Sequence, residues 1–236
     1  VLRVVSLLPW GLQRLLARGF GAFAFHVLRI RRKVTLTNLR LCFPELTEAE
    51  RRVLGRRHYQ SLALGVLEVA RCWWRRAEDL PPHRIEGLDL LRAAASRGKG
   101  VLLVSGHFTT LEITGRILSL RLTMGCLYRD PNNAVLAELL RHHRSDWASR
   151  AIDMRDLKGL LRALREGEIV WYAPDQGKRT AQSELLPFFG EPCITNTSTP
   201  RLAEMTGAAV LTFYARREDD GSYTLRLAEA PAGIPS

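Results

Sequence analysis

Cysteine is scarce and scattered in this 236-residue chain. Cys42, Cys72, Cys126 and Cys193 form no C-x-x-C pair. This spacing argues against a zinc site and against a disulfide framework, and it favours unpaired buried thiols in a reducing compartment. We therefore expect neither a metal nor another cofactor.

Long uncharged apolar runs are also absent. Arg3, Arg14, Arg18 and Arg29 interrupt the first thirty residues, so no run reaches the roughly 18–20 residues that a membrane-spanning helix needs. The same stretch lacks a small-residue cleavage site, which argues against a cleavable signal peptide. Because the chain starts without methionine and stops in the loop-like PAGIPS, we expect it to be truncated at one or both ends.

Acidic residues are few relative to basic ones. The 24 acidic and 35 basic side chains leave a formal net charge of +11 and a pI near 10.2. Such an excess favours an anionic partner, which could be nucleic acid, an acidic membrane surface or a phosphorylated substrate. No helix-turn-helix, zinc-finger or RNA-binding pattern is present, so we expect no nucleic-acid partner.

Arginines recur with a helical period near the start of the chain. On a single helix Arg14, Arg18, Arg29 and Arg32 fall within an arc of roughly 60°, and leucines and phenylalanines cover much of the rest. This pattern is typical of a helix lying in a membrane interface, and equally of a core helix with one solvated face. We predict an amphipathic helical arm at 1–32, followed by one domain at 33–236.

Within that domain the pattern changes from helical to alternating. Thr47-Glu-Ala-Glu50 is a capping box that opens a helix running towards Trp73 and Trp74, so 33–80 is predicted to be helical. From residue 85 onward, strand-like runs alternate with helix-like stretches, which predicts an α/β core with a mixed, mostly parallel sheet flanked by helices. The strand-like runs are 100–105, 123–128, 168–173, 208–214 and 222–229, and the helix-like stretches are 109–120, 133–148, 156–166 and 198–206. The last strand-like run alternates apolar and polar residues, and we predict it as an antiparallel edge strand.

Polar clusters follow three of the predicted strands. His107 comes after the first, Arg129 after the second, and Asp175 with Gln176 after the third. In α/β sheets the functional site usually lies at the carboxyl ends of the strands, so this arrangement predicts a site there.

His107 and Glu112 stand in the segment GHFTTLE, five positions apart. They would diverge by about 140° on a regular helix, so they can meet only across a strand-to-helix turn. There Glu112 could accept a hydrogen bond from one imidazole nitrogen and leave the other free as a general base. The alternative is a loop histidine beside an acid that starts a helix.

The same segment carries a family resemblance. GHFTTLEITGRIL resembles the HxxxxD/E motif of glycerolipid-type acyltransferases and, more narrowly, the HxxxxE motif of the late acyltransferases of lipid A biosynthesis. Further blocks are similar to that family and follow its order. They are VTLTNLRLCFPELTEAER (34–51), LYRDPNN (127–133), LKGLLRALREGEIVWYAPDQ (157–176) and LPFFGEPCITNTSTPRLAEMTGAAVLTFYARR (186–217).

The resemblance implies a reaction and its partners. His107 would be the general base assisted by Glu112, and the acyl group would pass from an acyl-carrier-protein thioester to a hydroxyl of a phosphorylated glycolipid, the lipid A precursor. No covalent acyl-enzyme is needed. The enzyme would act at the cytoplasmic face of the inner membrane, peripherally or anchored by an N-terminal helix, against an anionic lipid surface.

We also predict a set of substrate-binding residues. Arg129, Asp175 and Gln176 match blocks of the family, whereas Arg116 is predicted from its position on the helix, and Lys178 and Arg179 from their charge next to Asp175. The chain departs from the family where the usual Pro-Asp-Gln-Asp-Tyr-Gly becomes Pro-Asp-Gln-Gly-Lys-Arg, so no role of the Asp-Tyr pair carries over. Arg116 lies one turn beyond Glu112, and it could anchor the acceptor or simply form an ion pair with Glu112.

Other functions fit some of the same residues. The chain could acylate another membrane glycolipid, such as a mannosylated phosphoinositide, using acyl-CoA. It could also be a non-catalytic lipid-binding homologue, or hydrolyse thioesters as a side reaction. The residues above do not distinguish the lipid A precursor from another membrane glycolipid as the acceptor.

Overall fold

The computed structural model of the protein describes residues 1–176 and 183–231. Its contacts group the chain into two compact units. A helical unit comprises residues 1–80 and 184–195, and a sheet unit comprises residues 81–183 and 196–236. The predicted arm therefore belongs to the same unit as the helices that follow it.

The regular elements agree in type with most of the sequence expectations. The helices are α1 (Leu2–Ser6), α2 (Trp10–Phe23), α3 (Arg32–Cys42), α4 (Glu48–Trp74), α5 (Leu88–Ser96), α6 (Leu111–Ser119), α7 (Ala134–Ser145), α8 (Leu157–Arg165) and α9 (Ser198–Thr206), with a π-helical turn at Ala24–Leu28 and a 3₁₀ turn at Ala77–Asp79. The strands are β1 (His83–Glu86), β2 (Val101–Val104), β3 (Gly125–Tyr128), β4 (Ala151–Asp153), β5 (Ile169–Tyr172), β6 (Ser183–Phe188), β7 (Glu191–Asn196), β8 (Ala209–Arg217) and β9 (Tyr223–Glu229).

The N-terminal arm is not one continuous helix, so the shared phase predicted for its arginines is wrong. After the π-helical turn, Arg29 and Arg31 adopt left-handed backbone angles with φ of 53° and 55°. These two residues break the helical path, and Arg32 starts the separate helix α3. Arg14 and Arg18 remain together on α2, whereas Arg32 does not share their face.

Helix α4 begins with the capping box that the sequence predicts. The Thr47 hydroxyl accepts a hydrogen bond from the backbone N–H of Glu50, and the Glu50 carboxylate accepts one from the backbone N–H of Thr47. Helix α2 packs against α4 at very short range. A Cβ on Gly21 would lie 2.4 Å from the Cα of Gln60, so only glycine permits this approach.

The sheet unit has a seven-stranded, mostly parallel sheet in the order β1-β9-β8-β2-β5-β3-β4. Among the strand pairs of this sheet in the described residues, only β8 and β9 run antiparallel. The predicted antiparallel pairing of 222–229 is confirmed, but its edge position is wrong because β1 pairs parallel to β9 on the outside. The core on one face packs β5 against α8 and α9. Its members include Leu160, Leu164, Val170 and Leu202.

Candidate active site

The carboxyl ends of β2 and β5 lie side by side at the centre of the sheet. The two strands pair in parallel from Val101 with Ile169 to Val104 with Tyr172. Immediately beyond them, the Ser105 backbone N–H donates to the Tyr172 carbonyl at 2.8 Å. This register brings together two loops that are far apart in sequence, one carrying His107 and the other Asp175.

His107 and Asp175 make a double contact in this position. The imidazole Nδ1 lies 2.5 Å from Asp175 Oδ1, and the His107 backbone N–H donates to Oδ2 at 2.7 Å. The carboxylate can only accept, so Nδ1 carries the proton and Nε2 is the basic nitrogen of the neutral ring. Both side chains remain accessible, with 40% and 45% of their surfaces exposed. An oriented and reachable base is the result.

Gly106 makes room for this contact. A Cβ at this position would lie 3.3 Å from Asp175 Oδ2 and 3.2 Å from the Phe108 ring, which is tighter than side chains usually tolerate. The glycine before the histidine therefore lets the carboxylate approach the backbone.

Glu112 binds a different partner from the one expected. It is the second residue of α6, and its carboxylate accepts a hydrogen bond from Arg144 in the last turn of α7. Among the described residues Glu112 makes no hydrogen bond with His107, so the expected direct pair is not formed. The reason is that a carboxylate this well buried needs a fully charged partner. Its side chain is 11% exposed and that of Arg144 16%.

The interior beside this ion pair has a low dielectric. Burial by itself lowers the pKa of the Arg144 guanidinium, but the charge and hydrogen bond of Glu112 outweigh it and raise that pKa. Burial raises the pKa of the neighbouring Cys126 thiol on β3 to about 11. In both groups, burial shifts the pKa in the direction that disfavours the charged form.

Helix α6 is held directly against β5. A Cβ on Gly115 would lie 2.4 Å from the Trp171 ring, so the helix can approach the strand only with glycine there. Trp171 packs in turn near Trp147 and Phe213. This packing fixes the first turn of α6 and the Glu112 side chain that it carries.

Two of the other sequence-predicted residues, Arg129 and Gln176, follow the carboxyl ends of β3 and β5. Arg116 lies on α6 without forming an ion pair to Glu112 in the described part of the chain, and Arg129 is exposed beyond β3. Gln176 is exposed beside Asp175. Lys178 and Arg179 lie outside the described residues.

Arg144 is the site residue that the sequence did not reveal. It stands 32 positions after Glu112, in the segment LRHHRSDW, where the adjacent histidines are the more conspicuous feature. No local spacing links an arginine in one helix to a glutamate in another. Only the packing of α6 and α7 in space identifies it.

A cavity lies entirely within the helical unit. It is an apolar groove of about 590 Å³, and Arg31 is one of the residues that line it. Its apolar lining includes Ile30, Leu39, Phe43, Leu62 and Phe189. The Phe43 and Phe189 rings meet edge to face at 5.2 Å.

Two features are absent from residues 1–176 and 183–231. None of the helices there combines the length and apolar character needed to cross a bilayer. The same stretches contain no cluster of three or more histidine, cysteine or acidic side chains placed to hold a metal ion.

Comparisons with known proteins all point to one kind of enzyme. A family described as bacterial lipid A biosynthesis acyltransferase matches residues 1–231. A lipid A biosynthesis lauroyltransferase of Escherichia coli K12 is 34% identical over 223 residues, which are 94% of this chain and 73% of that protein. A palmitoleoyltransferase of the same organism is 32% identical over 97% of this chain and 76% of its own length. A lipid A biosynthesis acyltransferase of Haemophilus influenzae is 32% identical over 95% of this chain and 74% of its own length.

Proposed function

The chain belongs to the bacterial lipid A biosynthesis acyltransferase family, and from that membership we propose that it moves a fatty acyl group from an acyl-carrier-protein thioester to a hydroxyl of a phosphorylated lipid A precursor, with His107 as general base. Acyl transfer and a lipid A-type acceptor follow from the family itself. The acyl-carrier-protein thioester as donor and the catalytic role of His107 are proposed for this chain in addition.

The double contact of His107 with Asp175 supports this mechanism most directly. Asp175 keeps the proton on Nδ1, and Nε2 removes the proton of the acceptor hydroxyl as its oxygen attacks the thioester carbonyl. The tetrahedral intermediate then collapses with cleavage of the carbon–sulfur bond. The imidazolium returns the proton to the leaving thiolate, so the products are an ester and a free thiol.

Glu112 assists the same base in a different way. Its carboxylate is fixed by Arg144 and packed on the helix that follows the His107 loop. In the proposal the Glu112–Arg144 ion pair holds the first turn of α6 behind the His107 loop, while Asp175 makes the orienting hydrogen bond. Two carboxylates thus share the tasks that the sequence pattern assigned to one.

Cationic and polar side chains around this edge would bind the acceptor. Arg129 and Arg116 are suited to bidentate recognition of phosphate, and Gln176 adds a neutral hydrogen-bonding group. Lys178 and Arg179 lie outside the described residues, and they enter the proposal only as cations that follow Asp175 in the sequence. A phosphorylated disaccharide lipid would present several anionic groups to this set.

We also propose that the protein acts at a membrane surface, which its N-terminal arm contacts. The N-terminal arm at 1–32 exposes large apolar side chains, among them Leu15 at 64%, Phe20 at 60% and Val27 at 61%. With the net charge of +11, this surface fits peripheral association with anionic lipid at the cytoplasmic face of the inner membrane.

A transfer assay tests the function. Wild-type protein is given an acyl-carrier-protein thioester or acyl-CoA as donor and a diphosphorylated disaccharide lipid as acceptor, and the ester product is measured by mass spectrometry. We expect transfer from the carrier protein and a loss on the order of 10²–10⁴-fold in His107→Ala, because general-base catalysis is removed. His142→Ala, which changes an exposed histidine on α7, is the matched control. Full transfer by His107→Ala would sink the mechanism.

A further inference from the structure

Helix α8 presents a row of cations on its exposed side. Lys158, Arg162 and Arg165 follow one another at intervals of four and three residues, so they share one face. Arg155 precedes the helix and is also exposed. The opposite side of α8, formed by Leu160, Ala163 and Leu164, is buried in the core of the sheet unit. We refer to Arg155, Lys158, Arg162 and Arg165 as the α8 cationic face.

The acidic residues near this face have other partners. Asp156 accepts the backbone N–H of Gly159 and caps the helix start. Glu166 and Glu168 both bind Arg150. In residues 1–176 and 183–231 no carboxylate forms an ion pair with any member of the α8 cationic face. A strip of uncompensated positive charge is therefore offered to an external partner.

The surroundings favour a protein as that partner. A shallow depression of about 340 Å³ is bounded by Lys158, Leu161, Arg162, Arg165 and Glu166 and could receive side chains. Met154 and Leu157, each 53% exposed, adjoin the cations. Arginine and methionine are enriched at protein interfaces.

A lipid bilayer fits the α8 cationic face less well. An interfacial helix buries an apolar face in the membrane, but the apolar face of α8 is already used in the core. Its outward side offers mainly charge, which an acidic protein surface would complement.

The position of α8 relates this face to the candidate active site. The helix runs from the carboxyl end of β4 to the start of β5, and β5 leads to Asp175. Its first turn, with Lys158, therefore lies at the edge of the sheet where the strands end and where His107 and Asp175 meet. A protein docked along α8 would approach the edge at which the thioester must react.

We propose that the α8 cationic face is the docking surface for an acidic protein, and that this protein is the carrier that delivers the acyl thioester. The identity of the carrier rests on the function proposed above, whereas the location and the acidic character of the partner rest on the charge and exposure of α8. Docking by complementary charge would act on recognition of the carrier and leave the chemical step unchanged.

The test compares two double variants that carry the same change in charge. Arg162→Glu/Arg165→Glu reverses two members of the face, and Arg97→Glu/Arg121→Glu reverses two exposed arginines elsewhere in the sheet unit. Each is assayed with the acylated carrier protein and with an acyl-pantetheine thioester, which has the same reactive group but no acidic protein. Circular dichroism first establishes that both variants fold.

We expect the α8 variant to raise KM for the carrier-protein thioester by about tenfold or more at low salt, with kcat at saturation nearly unchanged. KM for acyl-pantetheine should stay the same, and the difference from wild type should shrink with added salt, which screens the charges. The control variant should behave like wild type with both donors.

Any one of the following results would overturn the inference. The first is an equal effect of the two variants on the carrier-protein donor, and the second is an equal loss with both donors. The third is reduced sedimentation of the α8 variant with anionic vesicles at unchanged KM, because it would assign the face to a membrane. In the fourth, wild type uses acyl-CoA but not the carrier protein, which removes the proposed donor as well. Carrier-dependent transfer that the α8 variant leaves intact would reject the docking surface alone.

Discussion

Asp175 contacts His107 with both of its carboxylate oxygens, one at the ring and one at the backbone. Asp175→Asn keeps the shape but places an amide where only an acceptor fits, so the imidazole loses its preferred tautomer. We expect kcat to fall on the order of 10²–10⁴-fold while KM for both substrates changes little. The measurement is steady-state transfer in which each substrate is varied in turn.

Asp153→Asn is the control for this change, because Asp153 also ends a strand at the same edge and its side chain accepts a backbone N–H. That variant should retain wild-type kcat. If Asp175→Asn were as active as Asp153→Asn, the tautomer argument would fail.

Arg144 and Glu112 form a largely buried ion pair between α6 and α7. Arg144→Met leaves the Glu112 charge without its partner in a dry environment, so we expect the free energy of unfolding to drop by about 3 kcal/mol. Adding Glu112→Gln removes the orphaned charge, and the double variant should recover part of that loss. Urea unfolding followed by circular dichroism measures both changes. Stability losses that simply add would show that the two side chains are not coupled.

At this scale the sequence led to His107 but not to its orienting partner. His107 follows an apolar strand and heads a family-like motif, and both features are local. Asp175 lies 68 residues away, and only the parallel pairing of β2 with β5 brings it to the ring. Arg144 depends in the same way on the packing of two helices. Side-chain partners across a sheet therefore require the register, which a single sequence does not contain.

Among the elements, α4 offers the clearest test because its start is defined by a complete capping box. Thr47→Ala removes the hydroxyl that accepts the Glu50 N–H, and we expect a loss of about 1 kcal/mol in the free energy of unfolding at neutral pH. Thr37→Ala, at an exposed position within α3, is the control and should have a much smaller effect. Equal losses in the two variants would mean that the cap contributes nothing specific.

The same helix start should depend on pH. Hydrogen bonds from the Thr47 backbone and side chain lower the pKa of Glu50 below its ordinary 4.5. A carboxylate with a lowered folded-state pKa stabilises the native state above its unfolded pKa and loses that effect as pH falls through the folded value. The stabilising contribution of Glu50 should therefore be complete at neutral pH and disappear in acid. Glu50→Gln compared with wild type in urea unfolding at neutral and acidic pH measures it, and an equal difference at both would contradict the linkage.

The elements that the sequence predicted share strong, local patterns. Helices α6 to α9 and strands β2, β3, β5, β8 and β9 all match predicted stretches. The sequence analysis missed helix α5 and strands β1, β4, β6 and β7. Of these strands, β1 and β4 have only four and three residues, too few for an alternating pattern to develop. The sequence did not predict the break in the N-terminal arm, because Arg29 and Arg31 take the left-handed conformation that glycine usually marks. The short strands and the break in the arm therefore depend on tertiary packing and not on the local secondary-structure propensity of their residues.

For the molecule as a whole, the distribution of charge over the surface says more about its binding partners than the net charge does. Many acidic residues sit in local ion pairs, for example Glu48 with Arg40 and Glu168 with Arg150. The excess cations are left at the surface, where they can bind anionic partners. Composition alone predicted anionic partners, but only the structure separates a cationic face on α8 from an arm that combines arginines with exposed apolar residues.

That arm carries the last prediction, which concerns association with lipid. Replacing Leu15, Phe20 and Val27 together with glutamine removes three of its most exposed apolar side chains. Burying each such side chain contributes on the order of 1–2 kcal/mol, so we expect roughly a tenfold or greater drop in binding to anionic vesicles.

The control replaces Leu90, Val135 and Met205 with glutamine, because these residues are also large, apolar and exposed but belong to the sheet unit. Co-sedimentation with anionic and with neutral vesicles measures the effect at low and high salt. Wild type should prefer anionic vesicles and lose that preference in salt, since screening weakens the attraction of its net positive charge. Arm and control variants that bind equally well would mean that the exposed apolar residues of the arm do not enter the membrane, and the arm would then serve only to pack against α4.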